Sequence, residues 1–190
     1  MKRIMALITI FLTVGFAVCL PIFAVTKNGV MEIVTISIGV TLYHFAMRLA
    51  VGTVAQAIMK NHANPESPWF SEKSFESRLY KGMGVGRWKK HLPTYAPEIF
   101  DASQRTVEEL VGATCQAEVV HEIIMLLSLL PIALILFFDG AAAFIITSAL
   151  SMLFDGLFVM IQRYNRPRLV RLMKRKDRIK QEEPMIGDVK

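Results

Sequence analysis

The sequence has only two cysteines and places almost no charge inside four long apolar blocks. Cys19 lies in the first block and Cys115 at the start of the third, so a disulfide framework is not expected. Of the 190 residues, 53% are hydrophobic, and the mean hydropathy of +0.42 is too high for an ordinary soluble domain. These features predict one domain built in a bilayer.

Two chemical motifs are missing as well. The glycines of GMGVG, residues 82–86, follow no predicted strand and lack the spacing of a nucleotide-binding loop, so we expect a flexible turn there. Glu118-x-x-His121 occurs once, whereas a di-iron carboxylate site needs two such motifs and further glutamates. We therefore expect neither a metal nor another bound cofactor.

The formal net charge of +6 is compatible with nucleic-acid binding, but its distribution favours a membrane. The basic residues border the apolar blocks, which is typical of cytoplasmic anchoring beside anionic lipid headgroups. No nucleic-acid partner is expected.

Each apolar block supplies the roughly 20 residues that a transmembrane helix needs. The predicted fold is an all-α integral membrane bundle of four transmembrane helices, at about residues 4–25, 30–59, 117–138 and 141–162. The first block lacks a small-x-small cleavage site, so we expect a retained helix rather than a secretory signal. The short connections TKNG and DG predict two antiparallel hairpins. One membrane domain is predicted over residues 1–180, with a polar tail over residues 181–190.

The placement of lysine and arginine predicts the orientation. Lys2, the segment 60–116 and the tail from Arg163 hold most of the positive charge, whereas the two short connections hold only Lys27. Both termini and the segment 60–116 are therefore predicted to be cytoplasmic in a multi-pass protein of the cell membrane. Aromatic residues among the charges of residues 64–80 predict that this segment lies at the membrane interface.

Polar side chains within the predicted helices are costly in a bilayer, so we expect them to face the bundle interior. His44 and Arg48 share one face of the second helix, and Asp155 and Gln162 share one face of the fourth. Arg48 and Asp155 either form a buried ion pair or line a substrate site, and one alternative does not exclude the other.

The head of the third helix carries Glu118, His121 and Glu122. A neutral histidine is a suitable general base near neutral pH, and a carboxylate three residues earlier lies within reach of it. We predict that His121 is the base and that Glu118 fixes its tautomer. In the structural alternative, the glutamates favour the helix start and His121 caps it. Cys115 is a weaker candidate nucleophile because it lies about 120° around the helix from His121.

The exit of the fourth helix reads QRYNRPR, residues 162–168, with a proline that stiffens the chain. The spacing of Arg163, Arg166 and Arg168 is more particular than charge balance requires. Guanidinium groups bind phosphates bidentately, so this turn is predicted to hold a phosphate-bearing donor such as a coenzyme A thioester.

Three elements, VGRWKK, AEVVHE followed by LLP, and QRYNRPRL, make the sequence similar to the glycosyl-4,4'-diaponeurosporenoate acyltransferases of carotenoid biosynthesis. The similarity runs from roughly residue 70 to residue 172. It implies a membrane enzyme that moves a fatty acyl group onto a sugar hydroxyl of a glycosylated lipid. It also implicates nine side chains: Trp88, Lys89, Glu118, His121, Gln162, Arg163, Asn165, Arg166 and Arg168. Glu122, His44 and Arg48 lie outside the shared pattern.

The predicted function is O-acyl transfer at the cytoplasmic face. His121 removes a proton from the acceptor hydroxyl, which attacks an acyl thioester of coenzyme A or of acyl carrier protein. Arg163, Arg166 or Asn165 stabilises the oxyanion or grips the donor phosphate. The expected partners are this donor and a membrane lipid or glycolipid acceptor.

Two further expectations concern the surroundings of this chemistry. Lys89 and Lys90 extend the basic surface for the donor, and Trp88 anchors that surface at the interface. The alternative is a non-catalytic membrane scaffold or lipid-binding subunit, in which Arg48 and Asp155 neutralise charges on a partner helix.

Overall fold

A computed structural model describes residues 2–92, 99–101 and 103–187, with side chains as far as residue 179. Some predicted positions lie outside the described residues: 93–98 and 102 of the interfacial segment, and 188–190 of the tail. The regular structure of the described ranges is helical and includes no strand, which confirms the all-α prediction.

The α-helices of these ranges are α1 (Lys2–Thr26), α2 (Gly29–Met59), α3 (Glu76–Gly82), α4 (Val85–Trp88), α5 (Val107–Leu127) and α6 (Ala141–Gly187). Short 3-10 helices cover Pro68–Phe70, Lys89–His91 and Leu130–Leu136. Four spans are long and apolar enough to cross a membrane, as predicted: Lys2–Thr26, Gly29–Met59, Val107–Leu136 and Ala141–Ile179. Composition thus indicates a membrane protein.

α5 begins ten residues earlier than the sequence suggested, at Val107 rather than at residue 117. The reason is a capping box. The Thr106 hydroxyl accepts a hydrogen bond from the Glu109 amide (3.2 Å), and the Glu109 carboxylate accepts one from the Thr106 amide (2.9 Å). These reciprocal bonds satisfy donors that a helix start leaves free, so residues 107–116 belong to α5 and not to a connecting segment.

The C-terminal ends of α5 and α6 differ from the prediction as well, whereas α1, α2 and the start of α6 agree with it to within about two residues. α5 stops at Leu127 and a 3-10 helix with Pro131 near its start follows, because proline lacks the amide that an α-helix needs. α6 does not end at residue 162 but continues to Gly187. Arginine, lysine and leucine are good helix formers, so the basic stretch extends the helix although Pro167 removes one hydrogen bond.

The chain divides into two compact units. The first unit comprises Met1–Ile58 and Val119–Phe158, so it contains α1, most of α2, and parts of α5 and α6. No residue of α1 is buried. A Cβ on Gly39 of α2 would lie 2.8 Å from the ring of Phe16, so this glycine lets α1 approach α2 closely. Tyr43 of α2 donates a hydrogen bond to the carbonyl of Leu127 (2.8 Å), which ties α2 to the end of α5.

The second unit comprises Met59–Glu118 and Val159–Lys190. Val85, Leu110 and Val111 are among its most buried apolar side chains. A Cβ on Gly112 would run into the carbonyl oxygen of Asn61, so the chain after α2 packs directly on the α5 backbone. This unit contains α3, α4 and all four residues of the ion cluster described below, which are Glu76, Glu118, Arg163 and Arg166.

Candidate active site

In the first unit, an imidazole and a buried carboxylate meet. Nδ1 of His121 on α5 lies 2.8 Å from Oδ1 of Asp155 on α6. The Asp155 side chain is 1% exposed and that of His121 is 19% exposed. The Phe158 ring stacks on the imidazole, with centroids 4.7 Å apart and planes inclined by 11°. Asp155 and Phe158 are three residues apart, so α6 presents both to His121 on one face.

Arg48 of α2 completes this group. Its Nη2 donates to Oδ2 of Asp155 at 2.5 Å and to the Ser151 hydroxyl at 2.7 Å. Its Nη1 donates to the carbonyl of His44 at 3.3 Å. The predicted ion pair of Arg48 and Asp155 is therefore present within one chain, and Asp155 divides its two oxygens between Arg48 and His121.

His44 is the least satisfied polar side chain of the first unit. It is 4% exposed, and neither ring nitrogen has a hydrogen-bond partner among the described residues. The Ser148 hydroxyl, fully buried, likewise has no partner among them. Buried polar groups without partners are rare in native proteins, so His44 stays a predicted substrate-binding residue.

Glu118 has a different partner from the one that the sequence suggested. It lies in the second unit, is fully buried, and gives one carboxylate oxygen to Arg163 (2.5 Å) and the other to Arg166. The expected role of Glu118 as the carboxylate that orients His121 is therefore not what the structure shows, since Asp155 occupies Nδ1. Spacing along one helix brings side chains near each other, but it does not decide which partner each takes.

The two arginines are also held by backbone and by a second carboxylate. Nε of Arg163 donates to Glu76, which is 4% exposed, at 2.7 Å. The arginine groups donate to the carbonyls of Trp69, Phe70 and Ser71 at 3.4, 3.1 and 3.3 Å. Two guanidinium groups thus face two carboxylates in a neutral cluster. Such charge-assisted bonds fix residues 69–71 against α6.

The remaining predicted binding residues form a smaller group in the second unit. Lys89 donates to the side-chain oxygen of Asn165 at 2.5 Å and lies 4.8 Å from the centroid of the Tyr164 ring. Arg168 lies 4.0 Å from the same centroid. Burial lowers the pKa of the Lys89 ammonium, and the charge of Arg168 lowers that pKa further. The cations therefore converge on one aromatic ring.

Three predicted residues have less defined roles. The Trp88 indole donates to the carbonyl of Met83 at 3.1 Å and is half-buried. Lys90 is exposed, and Gln162 is 7% exposed. None of the three joins the ion cluster of Glu118.

Several residues of these groups were not predicted. Phe158 and Glu76 had signals in the sequence, since Phe158 follows Asp155 by three residues and Glu76 is an acidic residue in an aromatic and basic stretch.

Cys115 is fully buried, which disfavours it as a nucleophile. Among the side chains that the structure describes, no three His, Cys, Asp or Glu residues cluster as metal ligands would.

Comparison with known protein families finds a match for this chain. The model of the glycosyl-4,4'-diaponeurosporenoate acyltransferase family matches residues 65–175, which is more than half of the chain. The matched range includes His121, Asp155 and the whole ion cluster but not Arg48 or His44. Neither the curated proteins nor the solved structures contain a match. The match confirms the resemblance seen in the three sequence elements, and the chain belongs to the glycosyl-4,4'-diaponeurosporenoate acyltransferase family.

Proposed function

We propose that the protein is a multi-pass membrane enzyme that transfers a fatty acyl group from a thioester to a hydroxyl of a glycosylated lipid, such as a carotenoid glycoside. The family is one of acyltransferases, and its name implies a glycosylated carotenoid as acceptor. The observation that carries the proposal is the 2.8 Å contact of His121 with Asp155, which leaves the other imidazole nitrogen available for proton transfer.

The first step is proton removal from the acceptor. A carboxylate only accepts hydrogen bonds, so Asp155 selects the imidazole tautomer that is protonated on Nδ1. Nε2 of His121 then carries a lone pair and takes the proton of the acceptor hydroxyl. Asp155 stabilises the imidazolium that forms, and Arg48 holds Asp155 in place through its other oxygen.

The second step is acyl transfer. The acceptor oxygen bonds to the thioester carbonyl carbon, and the tetrahedral intermediate collapses by breaking the carbon–sulfur bond. The leaving thiolate takes the proton from Nε2, which yields an ester and a free thiol and restores His121. Arg163 and Arg166 are engaged with Glu118 and Glu76, so we assign these four residues to positioning rather than to the oxyanion.

The proposal includes a membrane topology. α1 has large apolar side chains exposed along its length, such as Leu7 (65%) and Phe11 (77%), which suit a hydrocarbon surrounding. The distribution of basic residues supports four crossings of the cell membrane with both termini in the cytoplasm. Residues 60–92 and 103–106 then lie at the cytoplasmic interface, with the basic end of α6.

The test uses purified protein in lipid nanodiscs, a carotenoid glycoside and a fatty acyl thioester of coenzyme A or acyl carrier protein. His121→Ala should lower the rate of ester formation, measured by mass spectrometry, by about 10²- to 10⁴-fold, as loss of a general base does. His62→Ala removes an exposed imidazole and should leave the rate unchanged. Full activity of His121→Ala would remove this residue from the mechanism.

The same assay tests the topology. In sealed inverted vesicles, which expose the cytoplasmic face, a membrane-impermeant donor should support ester formation. In right-side-out vesicles it should not, until a detergent opens them. Equal activity in both vesicle types before opening would contradict the assigned orientation.

The scaffold alternative predicted that Arg48 and Asp155 neutralise charges on a partner chain. These two residues pair with each other instead, and the family is enzymatic. We therefore propose no non-catalytic role.

A further inference from the structure

The second unit contains a cavity of about 570 Å³ that the proton-transfer chemistry does not use. One carboxylate, Glu72, lines it. Five cationic side chains line it as well: Lys81, Arg87, Arg163, Arg168 and Arg171. Pockets for small molecules typically measure about 300–1,000 Å³, so the cavity is of the size that a substrate group fills.

Most of the cationic charge around the cavity is not compensated by carboxylates. Arg163 is paired with Glu76 and Glu118. The other four cations form no ion pair among the residues that the structure describes. A concave surface with an excess of one charge concentrates ligands of the opposite charge, so the cavity is suited to an anion with more than one negative group.

Three glycines and Tyr164 also line the cavity. Gly82, Gly84 and Gly86 line it without side chains, and Gly84 has a φ of 65° that favours glycine. A Cβ on Gly86 would lie 2.6 Å from the Tyr164 hydroxyl, so this glycine lets Tyr164 enter the wall. Arg168 lies against the Tyr164 ring, with 4.0 Å from its guanidinium carbon to the ring centroid. The arrangement places cations, exposed backbone and an aromatic side chain at one cavity.

We propose that this cavity binds the nucleotide end of an acyl coenzyme A donor. That end carries a diphosphate, a ribose phosphate and an aromatic base, which match clustered cations, exposed backbone and a tyrosine ring. The phosphopantetheine arm of a carrier protein has a single phosphodiester and no base, and it would leave much of the cavity unused. The inference rests on the proposed thioester donor and selects coenzyme A as its carrier.

The experiment measures binding of unacylated coenzyme A to the full chain in nanodiscs of zwitterionic lipid, by equilibrium dialysis. Lys81→Gln and Arg171→Gln should each raise the dissociation constant by about tenfold, because each removes a charged phosphate partner. Lys176→Gln, an exposed cation outside the cavity, is the matched control and should have no effect. Wild-type protein should bind coenzyme A lacking the ribose phosphate more weakly than coenzyme A itself.

Four results decide the proposal. Unchanged affinity in both cavity variants would overturn it. Displacement of coenzyme A by nanodiscs rich in phosphatidylglycerol, with lipid binding that needs Lys81 and Arg171, would overturn it in favour of a lipid headgroup. Acyl transfer from carrier protein without any coenzyme A binding would overturn it while the proposed function survives. Binding of coenzyme A that depends on these cations, but without acyl transfer, would support the cavity assignment and contradict the proposed function.

Discussion

The two units of the chain handle buried charge in different ways. In the first unit, one carboxylate, Asp155, serves both a guanidinium and an imidazole, and the imidazole stays partly exposed. In the second unit, Glu118 gives its two oxygens to Arg163 and Arg166, and Glu76 gives one oxygen to Arg163 and the other to the Lys73 amide. Both arginines are bonded to backbone carbonyls as well. The first arrangement leaves Nε2 of His121 available for proton transfer. In the second arrangement, the charged groups are already paired with each other.

This difference teaches that residue type alone does not define a role. A buried ion cluster whose members are all hydrogen-bonded fixes the local structure, and removing one member lowers the free energy of unfolding strongly. A carboxylate shared with a titratable ring holds that ring in one tautomer. The same substitution, carboxylate to amide, should therefore damage activity in the first unit and stability in the second.

The largest effect is expected from Asp155→Asn. The amide keeps the shape of the side chain but removes the charge that selects the tautomer of His121 and pairs with Arg48. We expect the rate of ester formation to fall by about 10²- to 10⁴-fold. Asp139→Asn, an exposed aspartate in the same unit, is the control. If both variants show the same rate, Asp155 is not part of the catalytic group.

A comparable effect, but on stability rather than on rate, is expected from Glu118→Gln. It leaves Arg163 and Arg166 buried with half of their counter-charge, which should cost about 3–5 kcal/mol of unfolding free energy. The rate at which a thiol reagent labels the buried Cys115, in a Cys19→Ala background, reports opening of the second unit. The labelling rate should rise strongly.

Glu109→Gln is the matched control for that experiment. Glu109 forms an exposed pair with Arg105, four residues earlier and just before α5. Glutamine keeps the side-chain oxygen that accepts the Thr106 amide in the capping box. Exposed ion pairs of this kind contribute little to the free energy of unfolding. The labelling rate of Cys115 should therefore barely change. A rate for Glu118→Gln that equals the control rate would show that the cluster does not stabilise the second unit.

The smallest effects are expected from glycine substitutions, which compare the packing of the units. Gly112→Ala pushes a methyl group into the backbone carbonyl of Asn61 and should destabilise the second unit by about 1–3 kcal/mol. Gly39→Ala meets only the ring of Phe16, which moves more easily, and should cost less. Gly52→Ala has open space and should stabilise α2 by about 1 kcal/mol. Unfolding in denaturant gives this order, and a reversed order would contradict the described packing.

Much of the fold could be predicted because long apolar runs are a strong signal. The four long helices and the pairing of Arg48 with Asp155 follow from hydrophobicity and from the cost of lone charges in hydrocarbon. The start of α5 was missed although Thr106 and Glu109 carry its capping box. That signal is short, and the polar residues after it resemble a connecting segment.

The site was harder to predict, because its partners are distant along the chain. His121 and Asp155 are separated by 34 residues, and Glu118 and Arg166 by 48. Local spacing on one helix suggested that Glu118 serves His121, since the two lie three residues apart. Tertiary packing decided otherwise, and no local rule could have shown that two arginines would claim both oxygens of Glu118.

The position of Arg48 has a consequence for where a working protein begins. The family match starts at residue 65, and the ion cluster of the second unit is electrically complete inside it. Asp155 also lies inside the matched segment, but its counter-ion, Arg48, lies on α2, upstream of that segment. A truncation at the start of the family match would keep the carboxylate of Asp155 and remove the guanidinium of Arg48 that neutralises it. Charge balance is therefore the better guide to the minimal chain.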